Sequence, residues 1–422
     1  MLTQEENELL TRVGPGTPAG ELMRRYWQPA ALSAELPPGG APIPVRLFGE
    51  DLVLFRDDEG KPGLLGLHCS HRGADLSYGR VEDGGLRCIY HGWLYDRNGR
   101  CLEQPGEPAG STFHERIRQT AYPCVEMGGI VLAYMGPGEP PLVPAYDFLT
   151  APDENRFVTK LYQQCSYLQG NEGNQDPIHL SFLHRVTRGI PDDRALQQNR
   201  LADDINPRID LEVTDWGVRI YAIRDAGTDS QYVRLTNTVL PNFTCFRGSE
   251  GEKSDGYSVN WHVSIDDTHH WKYTFMFRGD KPIDQSSVSG ARADATPDYH
   301  MIRNRQNRYL QDREEMKTSS FIGMGMAFQV HDTCATEGPG PIQDRTQEHL
   351  TPGDICIVTA RKVLMQAIRD MQAGREPRNV VRDPAANHFP DMVIRSDVIP
   401  NDENHRTFWK KYAKGVSEPA LV

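Results

Sequence analysis

No apolar stretch in these 422 residues approaches the roughly 20 needed to cross a bilayer. The N-terminus, MLTQEENELLTRVG, is acidic and polar and has no signal-peptide core, so a cytoplasmic location is expected. There is no lysine or arginine run, and the formal net charge is −12. Nucleic acid and anionic membrane are therefore poor partners. A G-x-G-x-x-G stretch is missing, which excludes the usual dinucleotide fingerprint. Internal repeats and low-complexity tracts are absent as well. What remains is ordinary for a globular chain, 38% hydrophobic and 25% charged, with length for two or three domains. The eight cysteines show little regular spacing. In a reducing compartment, those outside any motif are expected to be small core residues, not disulfides.

Two short knuckles break that irregularity: Cys69-Ser-His71 and Cys88-Ile-Tyr-His91. Each offers one thiolate and one imidazole. A zinc finger groups Cys with Cys and His with His. Mixing the two types within each pair suits a two-iron cluster, one iron taking both sulfurs and the other both nitrogens. That is the Rieske [2Fe–2S] arrangement, whose potential lies above that of an all-thiolate cluster. Gly73 and Gly92 follow the knuckles and allow tight turns.

The reading is α+β. Residues 1–40 form a helical arm, with a stripe at Leu9, Leu10 and Val13, a second helix over Ala19–Trp27, and Arg24 to Trp27 as an anchor. Residues 41–144 form a small all-β domain with the knuckles at its tip, beginning with a hairpin of Val45–Phe48 and Leu52–Phe55. Residues 145–422 form a larger domain built on an antiparallel sheet. Leu211–Ile223 reads as a hairpin, Tyr232–Leu240 as a strand, and Tyr257–Ile265 with Trp271–Arg278 as another hairpin. Residues 284–298 read as a mobile loop or lid, and Asn304–Met316 and Arg361–Ala373 as helices, the latter stopped by Gly374.

A second constellation lies at Asp176-Pro-Ile-His179-Leu-Ser-Phe-Leu-His184. On a regular helix the two histidines stand about 140° apart, so aiming both at one ion needs a kink or π-bulge. Asp176, with Pro177 after it, reads as a helix N-cap. The alternative is a capped helix with two packed histidines. A ferrous oxygen-activating site takes two histidines and one carboxylate. Asp332 is a strong candidate for the third ligand, with His331 and Glu337 as rivals.

These motifs, in this order, resemble the terminal oxygenase components of Rieske non-haem iron oxygenases. Glu172-Gly173 and Glu337-Gly-Pro-Gly-Pro-Ile-Gln-Asp344-Arg345 are similar to the phthalate-dioxygenase-like branch. The resemblance implies a Rieske domain followed by a helix-grip catalytic domain, in a homotrimer where the cluster of one subunit serves the iron of the next. It implies Cys69, His71, Cys88 and His91 as cluster ligands and His179, His184 and Asp332 as ligands of a mononuclear Fe(II). Asp176 matches the family's bridging aspartate between a cluster histidine and an iron-ligand histidine. The family implies O2 as co-substrate, with NADH-derived electrons arriving through a separate reductase or ferredoxin.

The function expected is aromatic O-demethylation: hydroxylation of an aryl methoxy carbon on a lignin-derived biaryl or aromatic acid, collapsing to a phenol and formaldehyde. Ring cis-dihydroxylation of an aromatic carboxylate is the alternative, and an electron-carrier Rieske protein is the non-enzymatic one. Arg72, Arg80, Arg87, Arg97 and Arg100 are expected to form a docking collar for an acidic redox partner. Arg219, Arg234 and Arg278 are candidates for reading a substrate carboxylate.

Overall fold

The computed structural model describes residues 1–185, 204–248, 255–290 and 292–413. Among these, no helix is long and apolar enough to cross a membrane. The chain opens with helix Gln4–Thr11, started by a Thr3–Glu6 capping box. Helix Pro18–Arg24 follows, shorter than the sequence suggests. Its expected last turn unwinds because Gln28–Leu32 is drawn out as a strand paired with Ile130–Ala133. The anchoring residues are used: the Arg24 guanidinium donates to the Val13 and Phe48 carbonyls and pairs with Glu50. The Tyr26 hydroxyl donates to the Arg378 carbonyl and the Trp27 indole to the Pro141 carbonyl.

Three small antiparallel sheets make up the first half. One contains the expected hairpin, Ile43–Leu47 with Glu50–Arg56. Another, Arg80–Glu82, Gly85–Arg87, Leu94–Tyr95 and Cys101–Glu103, carries the second knuckle between its middle strands.

The second half is an eight-stranded antiparallel sheet in the order Arg156–Gln163, His270–Arg278, Gly256–Ser264, Phe243–Phe246, Ser230–Val239, Gly217–Asp225, Arg208–Val213, with Ser396–Pro400 also paired to Ser230–Val239. Alternation separates its two faces. Tyr257, Val259, Trp261, Tyr273, Phe275 and Phe277 enter the main core. Helix Ile355–Gln372 buries Ala360, Leu364, Ala367, Ile368 and Met371 on one stripe and ends at Gly374, whose φ is +75°. It begins six residues earlier than its amphipathic core suggests, because the β-branched opening Ile-Cys-Ile-Val reads as extended. The expected helix over Asn304–Met316 is not formed. A 3₁₀ segment Arg305–Leu310 with left-handed residues at Arg308 and Tyr309 takes its place, then a single turn, Glu315–Thr318. Charge pattern alone gave that stretch no buried stripe to hold a helix. Part of segment 284–298 is a short helix, Gln285–Gly290; Ala291 lies outside the described residues.

One polar network ties these elements. Glu172, buried on helix Tyr167–Gln175, pairs with Arg345 at 2.8 Å and Arg361 at 2.6 Å. Arg361 also pairs with Glu348 at 2.6 Å, and Arg345 donates to Asn7 Oδ1 on the first helix. Burial alone would raise the Glu172 carboxyl, but the two guanidiniums outweigh it and hold it low. Arg345→Ala is therefore expected to lower stability by about 3–5 kcal/mol, the cost of breaking a buried pair. Urea unfolding monitored by circular dichroism checks this.

Candidate metal centres and pocket

The first knuckle lies between strands Pro62–Gly66 and Arg80–Glu82. Each knuckle closes on its glycine: the Gly73 N–H donates to the Cys69 carbonyl at 2.8 Å and that of Gly92 to the Cys88 carbonyl at 3.0 Å. Both glycines have φ near +75°, which side chains disfavour. Cys69 and Cys88 are buried, and the His71 and His91 rings stand 4.5 Å apart, centroid to centroid. His71 stacks on Trp93 at 4.3 Å, and its Nδ1 is buried without a partner. The Tyr95 hydroxyl lies 3.2 Å from Cys69 Sγ and 2.9 Å from the Ser70 hydroxyl. Among the described residues, ligand atoms from three such side chains converge within 4.8 Å of one another at a different place only, so the knuckles do not close around a single ion as a zinc knuckle would. A two-iron cluster, needing more room, fits them.

The converging trio is His179, His184 and Asp332. The helix ends at Asp176, whose carboxylate accepts the Ile178 N–H at 2.7 Å. Asp176 thus stands at the C-terminal end of one helix and closes a local turn, and is not the N-cap of a following α-helix. A 3₁₀ turn, His179–Ser181, follows, and this departure from α-geometry brings the two imidazoles to 5.1 Å. Asp332 comes from helix Phe328–Glu337. His184 Nε2 lies 3.0 Å and His179 Nε2 3.9 Å from Asp332 Oδ1.

Tautomers follow from the partners. His331 Nε2 is 2.9 Å from the Gly325 carbonyl, which only accepts, so this nitrogen carries the proton. His331 Nδ1 is then bare and accepts from His184 Nδ1 at 3.2 Å. Burial pushes His184 down to about 4, so the ring is neutral and its Nε2 is bare. A bare nitrogen 3.0 Å from a carboxylate oxygen is repulsive unless a cation lies between them. The donor set therefore fits a divalent metal. Burial would raise the Asp332 carboxyl, but its polar surroundings, the Lys272 ammonium at 3.4 Å among them, outweigh it and hold it well below its usual range. The rivals are otherwise occupied. His331 braces His184, while Glu337 accepts the Gln164 N–H at 2.7 Å and the Tyr309 hydroxyl at 2.5 Å.

Beside the trio is a cavity of about 160 Å³ lined by Asn174, His179, Arg234, Arg247, Lys272 and Arg292, among others. Of the three arginines expected there, only Arg234 arrives. Arg219 instead lies over the Trp409 ring at 3.9 Å and pairs with Glu212, and Arg278 closes a strand away from the lining. Arg247, Lys272 and Arg292 went unread. Lys272 had a signal, since Lys272, Thr274 and Met276 alternate along one strand face. The collar is weaker than expected: Arg80, Arg87 and Arg97 pair with Glu82, Asp83, Glu103, Asp57 and Glu59, and Arg72 lies over the Tyr90 ring.

The Rieske [2Fe-2S] domain family matches residues 26–122, and the family described as LigXa C-terminal domain like matches residues 133–420. The phthalate 4,5-dioxygenase oxygenase subunit of Pseudomonas putida is 39% identical over 97% of this chain and 96% of its own length. The 5,5′-dehydrodivanillate O-demethylase oxygenase subunit of a Sphingobium species is 34% identical over 94% of this chain and 88% of its own. The terminal oxygenase of carbazole 1,9a-dioxygenase from Novosphingobium sp. KA1 shares the fold, with a TM-score of 0.59 and 20% identity, covering 87% of this chain and 99% of that one. With nearly its whole length accounted for, the chain belongs to the Rieske non-haem iron oxygenases, as the oxygenase component of an aromatic oxygenase system using a Rieske cluster, a mononuclear iron and O2.

Proposed function

We propose that this oxygenase is an aromatic O-demethylase, converting an aryl methoxy group of an aromatic acid into a phenol and formaldehyde. The observation that carries the substrate class is the cavity. Its volume of about 160 Å³ matches one substituted ring, since an engineered cavity of about 150 Å³ takes benzene. Arg234, Arg247, Arg292 and Lys272 on its wall favour an anion, and Arg292 buries an Nη2 with no partner among the described residues. Similarity to an O-demethylase subunit over 94% of the chain supports the reaction. Ring cis-dihydroxylation is the second reading, favoured by the 39% identity to a phthalate 4,5-dioxygenase subunit.

When bound, the cluster relays single electrons and the ferrous ion activates dioxygen. His179, His184 and Asp332 hold that ion. His331 keeps the His184 lone pair turned inward. The methoxy carbon, once hydroxylated, is a hemiacetal that collapses without a protein nucleophile. Asp176 orients His179, whose buried Nδ1 lies 3.8 Å from its carboxylate and has no closer partner among the described residues.

Electrons come from NADH through a separate reductase, with a ferredoxin as the carrier. The assembly proposed is a homotrimer, as the family resemblance implies. Exposed apolar side chains stand beside the second knuckle, at Ile89 and Tyr90, and on the catalytic domain, where the Phe182 and Phe321 rings lie 5.8 Å apart. Different surfaces meeting head to tail form a ring when the rotation closes.

Turnover of methoxybenzoates with a compatible reductase is expected to release formaldehyde stoichiometrically with phenol. A diol without formaldehyde would establish the second reading. Asp332→Ala is expected to lower iron from about three to about two per chain, whereas His331→Ala retains the mononuclear iron with affinity weakened about 10–100-fold. Iron analysis and Fe(II) titration separate them. Asp176→Asn is expected to keep both metal centres and lose turnover, and near wild-type product formation would remove its bridging role.

A further inference from the structure

Two buried histidines that the metal centre does not use stand behind the pocket wall. His262 and His270 lie on the paired strands Gly256–Ser264 and His270–Arg278 and are 1% and 0% exposed. Helix Tyr167–Gln175 sits directly on them at Gly170, where any Cβ would lie 2.4 Å from His262 Nδ1. Their nitrogens form an unbroken file. His270 Nδ1 is 2.7 Å from the Cys165 carbonyl oxygen, and His270 Nε2 is 2.9 Å from His262 Nδ1. His262 Nε2 is 2.8 Å from the Asn174 side-chain amide, whose oxygen is placed at that end.

The carbonyl only accepts, so His270 Nδ1 carries a proton. Burial holds both rings neutral, pushing His270 down to about 3 and His262 well below its usual value. Each ring therefore has a single N–H. His270 Nε2 is bare, so His262 Nδ1 donates to it. His262 Nε2 is then bare and requires a donor from Asn174. The two ends of a side-chain amide are told apart only by their partners. Exchanging the two ends puts the NH₂ of Asn174 on His262, where the proton count requires a donor, and turns its carbonyl Oδ1 to the opposite end. Asn174 lines the cavity together with His179 and Asp332.

We infer that Asn174 determines specificity by offering a carbonyl oxygen, not an amide N–H, to the pocket's occupant, and so selects aromatic acids that carry a ring hydroxyl. His262 and His270 are positioning residues that fix this orientation. The inference rests on the aromatic-acid reading of the cavity, and not on whether the product is a phenol or a diol.

Dissociation constants for benzoate, 4-hydroxybenzoate and its methyl ether 4-methoxybenzoate, measured without oxygen on the iron-loaded enzyme, test it. The phenol is expected to bind about tenfold more tightly than the ether, the worth of one hydrogen bond. That ratio falls to about one in Asn174→Leu and in His262→Phe, each compared with benzoate bound by the same variant, while iron content stays at the wild-type value. A wild-type ratio at or below one, or a ratio that survives in Asn174→Leu, overturns the inference. Failure of the wild-type enzyme to bind benzoate overturns the aromatic-acid reading, and the inference with it. No formaldehyde is scored, so a dihydroxylating enzyme gives an equally decisive result.

Discussion

A carboxylate held between two guanidiniums underlies the catalytic half of this molecule. Glu172 is 6% exposed, and unpaired it would carry a buried charge that no apolar neighbour could stabilise. Arg345 and Arg361 close on it from different elements. Arg361 belongs to the long helix Ile355–Gln372, and Arg345 follows the helix that carries Asp332. Glu172 itself is one turn before Asp176. The same charge cluster therefore fixes the relative placement of the three elements around the metal trio. Asn7 extends it to the first helix, so the N-terminal arm is locked to the catalytic half by the same pairs.

The sheet adds a second constraint. Its strands alternate, as the sequence pattern requires, but the polar set does not face water. Asn260, His262, Lys272 and Thr274 are all 6% exposed or less, because the helices Tyr167–Gln175 and Phe328–Glu337 cover them. Polar residues so buried are retained only where partners satisfy them. The Thr274 hydroxyl donates to Asn260 Oδ1, and Lys272 meets Asp332. A polar face enclosed in this way is a binding face, with its groups already desolvated.

This explains what was legible beforehand. The knuckles and the Asp176-to-His184 stretch were readable because ligand chemistry imposes residue types at short spacings. The strands Gly256–Ser264 and His270–Arg278 were readable from period and turn. Which face turned inward was not, since alternation is the same for a polar face in water and one under a helix. Arg234 and Arg219 sit on neighbouring strands with similar surroundings in sequence, yet one lines the cavity and the other packs on Trp409. Asn304–Met316 failed as a helix for a related reason: charge spacing permits a helix but does not bury one. The Glu172-Gly173 and Asp344-Arg345 motifs marked a branch in the sequence. Their meaning is physical, because Glu172 and Arg345 are each other's partners.

The site also has a regularity that no spacing rule reveals. On each side of the pocket a pair of imidazoles ends on a backbone carbonyl: His184 and His331 on Gly325, His262 and His270 on Cys165. A carbonyl fixes the proton of the ring it meets, and that ring fixes the next. Burial lowers all four rings, to about 4 for His184 and about 3 for His270, so none gains a proton near neutral pH. The backbone thus dictates which nitrogen is bare at the metal and which end of Asn174 meets the cavity. Dipoles set this way need no reorganisation when a ligand arrives, which is the condition under which a desolvated site discriminates most strongly.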